Sequence, residues 1–228
     1  MEDRKLEESD YKMENTSKLS EEPETVESST FPGVPAVDIG ACVSEGFDIY
    51  KNNAVTLIVA VLLAGLLASL SFGILAGPMG AGLVLMILRM MDGENVQIGD
   101  LFQGFSYFAP SFLFTLVWGL INIVVGFALG MVPFIGTAVS IFVSLAIGTI
   151  LIFGLPLIVD RKMDFWSASL ESIDKVKPVF WPMLGLLIIS SLIGDLGILA
   201  CGIGVIATIP ISICINTVVY RKFYPKQQ

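Results

Sequence analysis

The chain has 228 residues, of which 54% are hydrophobic and 15% charged, and its formal net charge is −8. A soluble domain carries about 25% charged residues, so this composition excludes an ordinary soluble protein. An acidic chain without a basic face also argues against nucleic-acid binding, and we expect no such partner.

The N-terminal segment, residues 1–40, differs in character from the rest of the chain. Residues 1–38 hold eleven acidic and four basic side chains and so account for −7 of the net charge. The segment is rich in Glu, Ser and Thr and poor in large apolar residues, so burial cannot offset its ordering entropy. We predict a disordered, acidic cytoplasmic tail that contacts other membrane or cytoplasmic proteins, followed by a transmembrane domain at residues 41–224.

Six apolar runs follow the tail, and each is a candidate membrane span. A helix needs about 20 apolar residues to cross the hydrocarbon core. The second run is short and carries Arg89 near its end, so whether it spans fully stays open. The runs are residues 54–76, 78–91, 107–131, 133–159, 180–200 and 203–220. They predict an all-α polytopic bundle of about six transmembrane helices, with the lipid bilayer as its surroundings.

The positions of the cations predict the orientation of these spans. Outside the tail, Lys and Arg occur at Lys51, at Arg89, in the loop 161–177 and in the C-terminal residues 221–226. The other connections, near residues 77, 132 and 202, contain none. Because loops rich in Lys and Arg stay on the cytoplasmic side, we expect a multi-pass protein of the cell membrane with both termini cytoplasmic.

A repeated pattern accompanies the spans. Gly46-Phe47, Gly104-Phe105 and Ser172-Ile173 each precede a span, and a turn follows each of them about 30 residues later. Each unit therefore reads as a short amphipathic helix followed by a helical hairpin. Three such units in the same orientation predict a pseudo-threefold bundle.

Small residues spaced four apart lie along three of the spans. Residues at this spacing share a helix face, and close packing of small residues drives helix association in lipid. We favour packing over a conduction path lined by the same residues, although both readings are open. The three ladders are Gly65, Ser69, Gly73 and Gly77; Gly136, Ser140, Ser144 and Gly148; and Gly204, Thr208 and Ser212, the last continuing to Asn216.

The segment 164–178 alternates apolar and charged residues at helical spacing. Phe165, Trp166 and Leu170 recur against Glu171 and Asp174. This pattern predicts an amphipathic helix lying in the membrane interface between the fourth and fifth spans, where it anchors the loop.

Ionisable residues inside spans are functional candidates by default. Asp195, in the fifth span, is a candidate cation or proton site together with Asn122 from the third span. Its position in Ile193-Gly-Asp195-Leu-Gly197 equally suits a cap for the following turn, the reading we favour. Asp160, at the end of the fourth span, is expected to be a solvated boundary residue that pairs with Arg161 or a neighbouring loop.

No arrangement of residues in the sequence points to catalysis. The chain has no histidine, and no nucleophile stands beside a base, as general acid–base chemistry requires. The cysteines Cys42, Cys201 and Cys214 lie far apart, so we expect neither a disulfide framework nor a metal site. We predict that the protein is not an enzyme and uses no cofactor.

The landmarks taken together resemble a broad group of prokaryotic six-span membrane proteins, which includes the membrane module attached to some glycerophosphoryl diester phosphodiesterases. The resemblance covers residues 41–224. The matching motifs are Gly77-Pro78-x-x-x-Gly82, Asp100-Leu-Phe-x-Gly-Phe105, Pro156-x-x-x-Asp160, Trp166-x-Ala168-x-x-x-Ser172, Gly202-Ile-Gly-x-x-x-x-x-Pro210 and Tyr220. It implies a fold and a membrane location but no activity or binding residues, and we do not expect phosphodiesterase activity.

Two functions follow as hypotheses. The first is a non-catalytic membrane protein that organises or regulates partners, with the acidic tail as its cytoplasmic contact. The alternative is a transporter or channel for ions or small solutes that uses the Ser/Thr ladders and Asp195 as its path.

Overall fold

The computed structural model of the protein describes residues 38–132, 135–199 and 203–226, with the backbone alone for residues 135, 193–199 and 203–207. The predicted acidic tail therefore lies outside the described residues, except for its last three. Every regular element in the described part is a helix. The predicted all-α class is confirmed.

Eight α-helices and two 3-10 helices follow one another along the described chain. The α-helices are α1 (Ile39–Leu70), α2 (Ala76–Met91), α3 (Phe108–Gly130), α4 (Ile135–Ile150), α5 (Gly154–Asp160), α6 (Phe165–Val176), α7 (Phe180–Leu199) and α8 (Ile203–Phe223). A long 3-10 helix (Ile98–Tyr107) leads into α3, and a short one (Lys177–Val179) joins α6 to α7.

Four helical segments are long and apolar enough to cross a membrane: Ile39–Leu70, Ile98–Gly130, Gly136–Asp160 and Phe165–Leu192. Large apolar side chains also cover the outside of the bundle, with Val55, Ile123, Phe127 and Trp181 each more than two-thirds exposed. Soluble monomers rarely expose apolar surface on this scale. The chain is therefore an integral membrane protein that forms a helical bundle.

The short second run forms an inner helix. Helix α2 has 16 residues, so it is about 24 Å long and falls short of the roughly 30 Å hydrocarbon core. Most of its residues, from Gly77 to Leu88, are buried. Because protein rather than lipid surrounds it, α2 does not need the length of a lipid-facing span.

Each hairpin is entered through a separate helical segment, as the repeat predicts. In α1 the backbone leaves helical geometry at Asn53 (φ −128°, ψ 21°), where its Nδ2 donates to the Ile49 carbonyl at 3.1 Å. The residues before Asn53 are therefore an entry segment, and those after it form the span. The long 3-10 helix and α6 hold the same place before α3 and α7.

The entry segments pack in a cyclic order on the returning helices of the preceding hairpins. A Cβ at Gly46 in α1 would lie 2.9 Å from the Ile215 Cα in α8. A Cβ at Gly104 in the long 3-10 helix would collide with α2 at Gly82. Ser172 of α6 hydrogen-bonds the junction of α4 and α5. The three positions that define the sequence repeat are therefore the points at which neighbouring units cross.

The first predicted small-residue ladder differs from the observed packing. Gly65 and Ser69 are exposed, and a Cβ at Gly65 would meet no described atom within 4 Å. Gly73 lies beyond the end of α1, in a turn with φ +87°, so the four-residue spacing no longer places it on the same face. Of these four residues, Gly77 is the one in close contact, because a Cβ there would collide with the backbone of Ser111.

The other two ladders face more than one neighbour. Gly136 and Ser140 pack towards α3, Gly148 lies near α7, and Ser144 is half-buried. A ladder on one helix face therefore does not form a single groove here.

On α8, Thr208 and Ser212 are half-buried, and the surroundings of Gly204 lie outside the described residues. Asn216 Oδ1 stands 3.5 Å from the Ser190 Oγ of α7. This contact joins the two helices of one hairpin.

Helix α6 is built into the bundle rather than lying on it. Its small residues Ala168, Ser169 and Ser172 are fully or almost fully buried, whereas Trp166 and Leu170 are exposed. Only the side that carries Trp166 and Leu170 is available to lie in the membrane interface, as the sequence predicts for the whole helix. The other side packs in the protein interior.

Candidate functional site

The last residues of the three returning helices meet at one end of the bundle. Asp92 follows α2, Asp160 ends α5, and Arg221 lies in the last turn of α8. The Arg221 guanidinium stands between the two carboxylates, with Nη2 3.3 Å from the Asp92 Oδ2 and Nη1 3.5 Å from the Asp160 Oδ1. We call these three residues the closing cluster, because they connect one helix from each repeat.

The closing cluster is sheltered from solvent. The side chains of Arg221, Asp92 and Asp160 are 14%, 18% and 22% exposed. Charges in such surroundings interact more strongly than they do in water, and each has an opposite charge nearby. The Arg221 Nε is buried and has no hydrogen-bond partner among the described residues, so the guanidinium is held by its two terminal nitrogens.

Further polar groups complete the shell around the two carboxylates. The Tyr220 hydroxyl donates to the Asp160 Oδ2 at 2.8 Å, and the Lys226 Nζ lies 2.9 Å from the Asp92 Oδ2. Arg161 Nε is 3.9 Å from Asp160, which is the pairing expected from the sequence. Each carboxylate therefore keeps a second partner besides Arg221.

Buried aromatic rings pack beside this cluster. The rings of Tyr220 and Tyr224 stack with centroids 5.0 Å apart, and Phe153 packs edge-on against both. The Tyr224 hydroxyl donates to Glu171 at 3.0 Å. Burial raises the pKa of Tyr224, and the Glu171 carboxylate raises it further, so this phenol stays neutral and holds α6 to the end of α8.

A second polar centre supports the junction between α4 and α5. Residues 151–153 interrupt the helix, and Ser172 bridges the gap by donating to the Ile150 carbonyl at 2.6 Å and accepting from the Phe153 N–H at 3.3 Å. One turn away, Ser169 accepts a hydrogen bond from the Trp118 Nε1 at 2.9 Å. Backbone groups freed inside an apolar region need such partners.

The described residues do not test the predicted intramembrane site of Asp195 and Asn122. Asn122 Nδ2 donates to the Trp118 carbonyl one turn earlier on its own helix, at 2.9 Å. Asp195 lies in the backbone of α7, but its side chain is outside the described residues. The cation or proton site at these two positions stays a prediction.

The closing cluster connects three helix ends through ion pairs. Within residues 38–132, 135–199 and 203–226, no group of three or more His, Cys, Asp or Glu is placed to hold a metal ion. The sequence predicts Asp160 as a solvated boundary residue and gives no indication that Asp92 and Arg221 belong to the same cluster, because Arg221 and Asp92 are 129 positions apart.

Comparisons with family models, with curated proteins and with solved structures found no match to the chain. The resemblance to the six-span prokaryotic group therefore stays a prediction.

Proposed function

We propose that the protein is a multi-pass component of the cell membrane, with both termini in the cytoplasm, that organises or regulates partner proteins and catalyses no reaction. The observation that carries this proposal is how the polar groups inside the bundle are used. The six buried polar side chains among the described residues are all hydroxyls: Ser111, Thr149, Ser169, Ser172, Ser190 and Thr217. Each donates a hydrogen bond to a backbone carbonyl.

A bundle arranged in this way supports a rigid platform better than a solute path. The buried hydroxyls stabilise helix backbones, and the closing cluster connects the three hairpins at one end. Specific recognition then falls to the surfaces outside the bundle. The acidic tail, with its net charge of −7 within residues 1–38, is the segment we assign to cytoplasmic partners.

The orientation is tested by site-directed labelling with a membrane-impermeant thiol reagent. Single cysteines replace Ser71, at the turn after α1, and Lys162, after α5, in a chain whose three native cysteines are replaced by serine or alanine. We expect labelling of residue 71 from outside intact cells and of residue 162 only after lysis. The opposite pattern would refute the orientation.

The organising role is tested by cross-linking in native membranes. The full chain is compared with a variant lacking residues 2–36, a deletion that ends there because the Asp38 carboxylate caps α1 by accepting from the Ala41 N–H at 3.0 Å. We expect the same membrane level and the loss of specific cross-linked proteins. Unchanged partners would remove the tail from the proposal, and a solute-dependent phenotype abolished by Asp195→Asn at normal protein level would favour transport instead.

A further inference from the structure

Four phenylalanines form a continuous line on the outside of the bundle. A 3-10 helix has three residues per turn, so side chains three apart lie directly above one another. Phe102, Phe105 and Phe108 follow this spacing, with ring centroids 6.3 Å apart at both steps and planes within 6° of parallel. Phe112 continues the line at 5.7 Å, one turn into α3. We call these four residues the aromatic ladder.

The aromatic ladder leads into a groove between α3 and the turn that follows α1. The groove has a volume of about 220 Å³, and its lining includes Phe72, Ile74, Phe112, Leu116, Gly119 and Leu120. Phe112 belongs to both the ladder and the groove, so the two form a single surface. Leu116 and Leu120 are also part of the exposed apolar exterior, which makes the groove continuous with the lipid-facing surface.

Two residues give the groove its shape. Phe72 stands at its rim with 97% of its surface exposed and adopts φ +52°, a region that costs a bulky L-residue energy and marks positions worth a functional explanation. Gly119 forms part of the wall, and a Cβ there would meet no described atom within 4 Å. The absence of a side chain at Gly119 therefore leaves open space.

We propose that the aromatic ladder and the groove together bind one hydrocarbon chain of a membrane phospholipid. The lining is almost entirely apolar and is reached from the lipid-facing surface, so its natural occupant comes from the bilayer.

The test uses the full chain reconstituted into vesicles of phosphatidylethanolamine and phosphatidylglycerol that contain a phospholipid with a diazirine in its acyl chain. After illumination, labelled peptides are mapped by mass spectrometry. We expect several-fold more label on Phe112, Leu116 and Leu120 than on Ile141 and Phe142, which are exposed on α4 and report ordinary lipid contact.

Gly119→Leu places a side chain in the groove at a position where its Cβ meets no described atom within 4 Å, and it is expected to lower the label on the ladder and groove to the level of α4. Gly185→Leu is the matched control, because a Cβ at Gly185 in α7 also meets nothing within 4 Å but lies outside the groove; it is expected to change nothing. Leu120→Trp, which fills the groove from an exposed position, is a second variant should Gly119→Leu fold poorly.

Three results would overturn the proposal. Equal labelling of the groove and α4 in the unmodified protein would mean ordinary lipid contact. Undiminished labelling in a stable Gly119→Leu or Leu120→Trp variant would mean that the groove is not the binding surface. Cross-links from the groove to a second copy of the chain, in place of lipid label, would assign the surface to self-association.

Discussion

Substituting alanine for Gly104 tests the packing that brings two repeat units together. Gly104 lies in the long 3-10 helix where it crosses α2. A Cβ at this position would collide with the Pro78 carbonyl oxygen and with the backbone of Gly82. Because the obstructing atoms are backbone rather than flexible side chains, the two helices must separate to admit even one methyl group.

The expected cost follows from this geometry. Overpacking a tight contact costs about 1–3 kcal/mol, and more where the neighbours cannot move. With backbone on both sides, we expect the upper part of that range, about 2–3 kcal/mol of stability. For a chain of this size, 1 kcal/mol corresponds to about 2–4 °C, so Tm should fall by about 4–12 °C.

The measurement is a thermal melt of the full-length protein in detergent, followed by size-exclusion chromatography with fluorescence detection. Gly185→Ala is the matched control, because its Cβ meets no described atom within 4 Å. Alanine is the better helix former by up to about 1 kcal/mol, so this variant should melt at or slightly above the temperature of the unmodified protein.

The Tm difference between Gly104→Ala and Gly185→Ala tests whether the close contact at Gly104 stabilises the bundle. If Gly104→Ala and Gly185→Ala melt at the same temperature, the close approach at Gly104 does not hold the units together. The cyclic packing of entry segments on returning helices would then lose its main support.

Three further predictions use the same melting assay. Arg221→Met should lower the free energy of unfolding by about 1–3 kcal/mol. The loss is smaller than for a carboxylate left with no partner, because Asp92 and Asp160 each keep another one. An unchanged Tm would show that the closing cluster adds no stability. Ser172→Ala should lower the free energy of unfolding by about 1–3 kcal/mol, because it leaves the Phe153 N–H and the Ile150 carbonyl unpaired. Ser172→Thr keeps the hydroxyl and should retain most of the stability. Equal losses in both variants would show that side-chain packing, rather than these hydrogen bonds, makes Ser172 important. Asp164 caps α6. Hydrogen bonds from the Ser167 side chain and backbone hold the pKa of Asp164 below its usual value. The stability that this cap adds to the protein is therefore present above the ordinary pKa of aspartate and is lost as the pH falls through the lowered pKa. The Tm difference between the unmodified protein and Asp164→Ala should therefore be full at neutral pH and shrink as the pH falls below the ordinary pKa of aspartate. A difference that stays constant into acid would contradict this prediction.

The sequence alone determined the helical class and the approximate positions of the apolar helices, although it did not show the break at residues 151–153. Lipid offers no hydrogen bonds to the backbone, so a chain that crosses it must form helices of a set length, and this requirement is visible as apolar runs. The repeat positions Gly46, Gly104 and Ser172 were equally visible, because a close crossing admits only small residues.

Tertiary structure decided which small residues make contact. A spacing of four predicts that Gly65 and Ser69 share a face, but it does not say what lies opposite that face, and here no described helix packs closely at Gly65. Gly82, which belongs to no ladder, meets the 3-10 helix instead. Likewise, the residue pattern of α6 does not show which side faces lipid and which faces protein. Its buried side includes Ala168, Ser169, Ser172 and Val176.

The closing cluster shows the same limit for charged residues. Asp92, Asp160 and Arg221 each stand at the end of an apolar helix, where a charge is normally solvated. Their separation along the chain gave no sign that they pair. Only the cyclic packing of the three hairpins brings the helix ends together, and the pairing then follows because charges drawn partly out of water need opposite charges nearby.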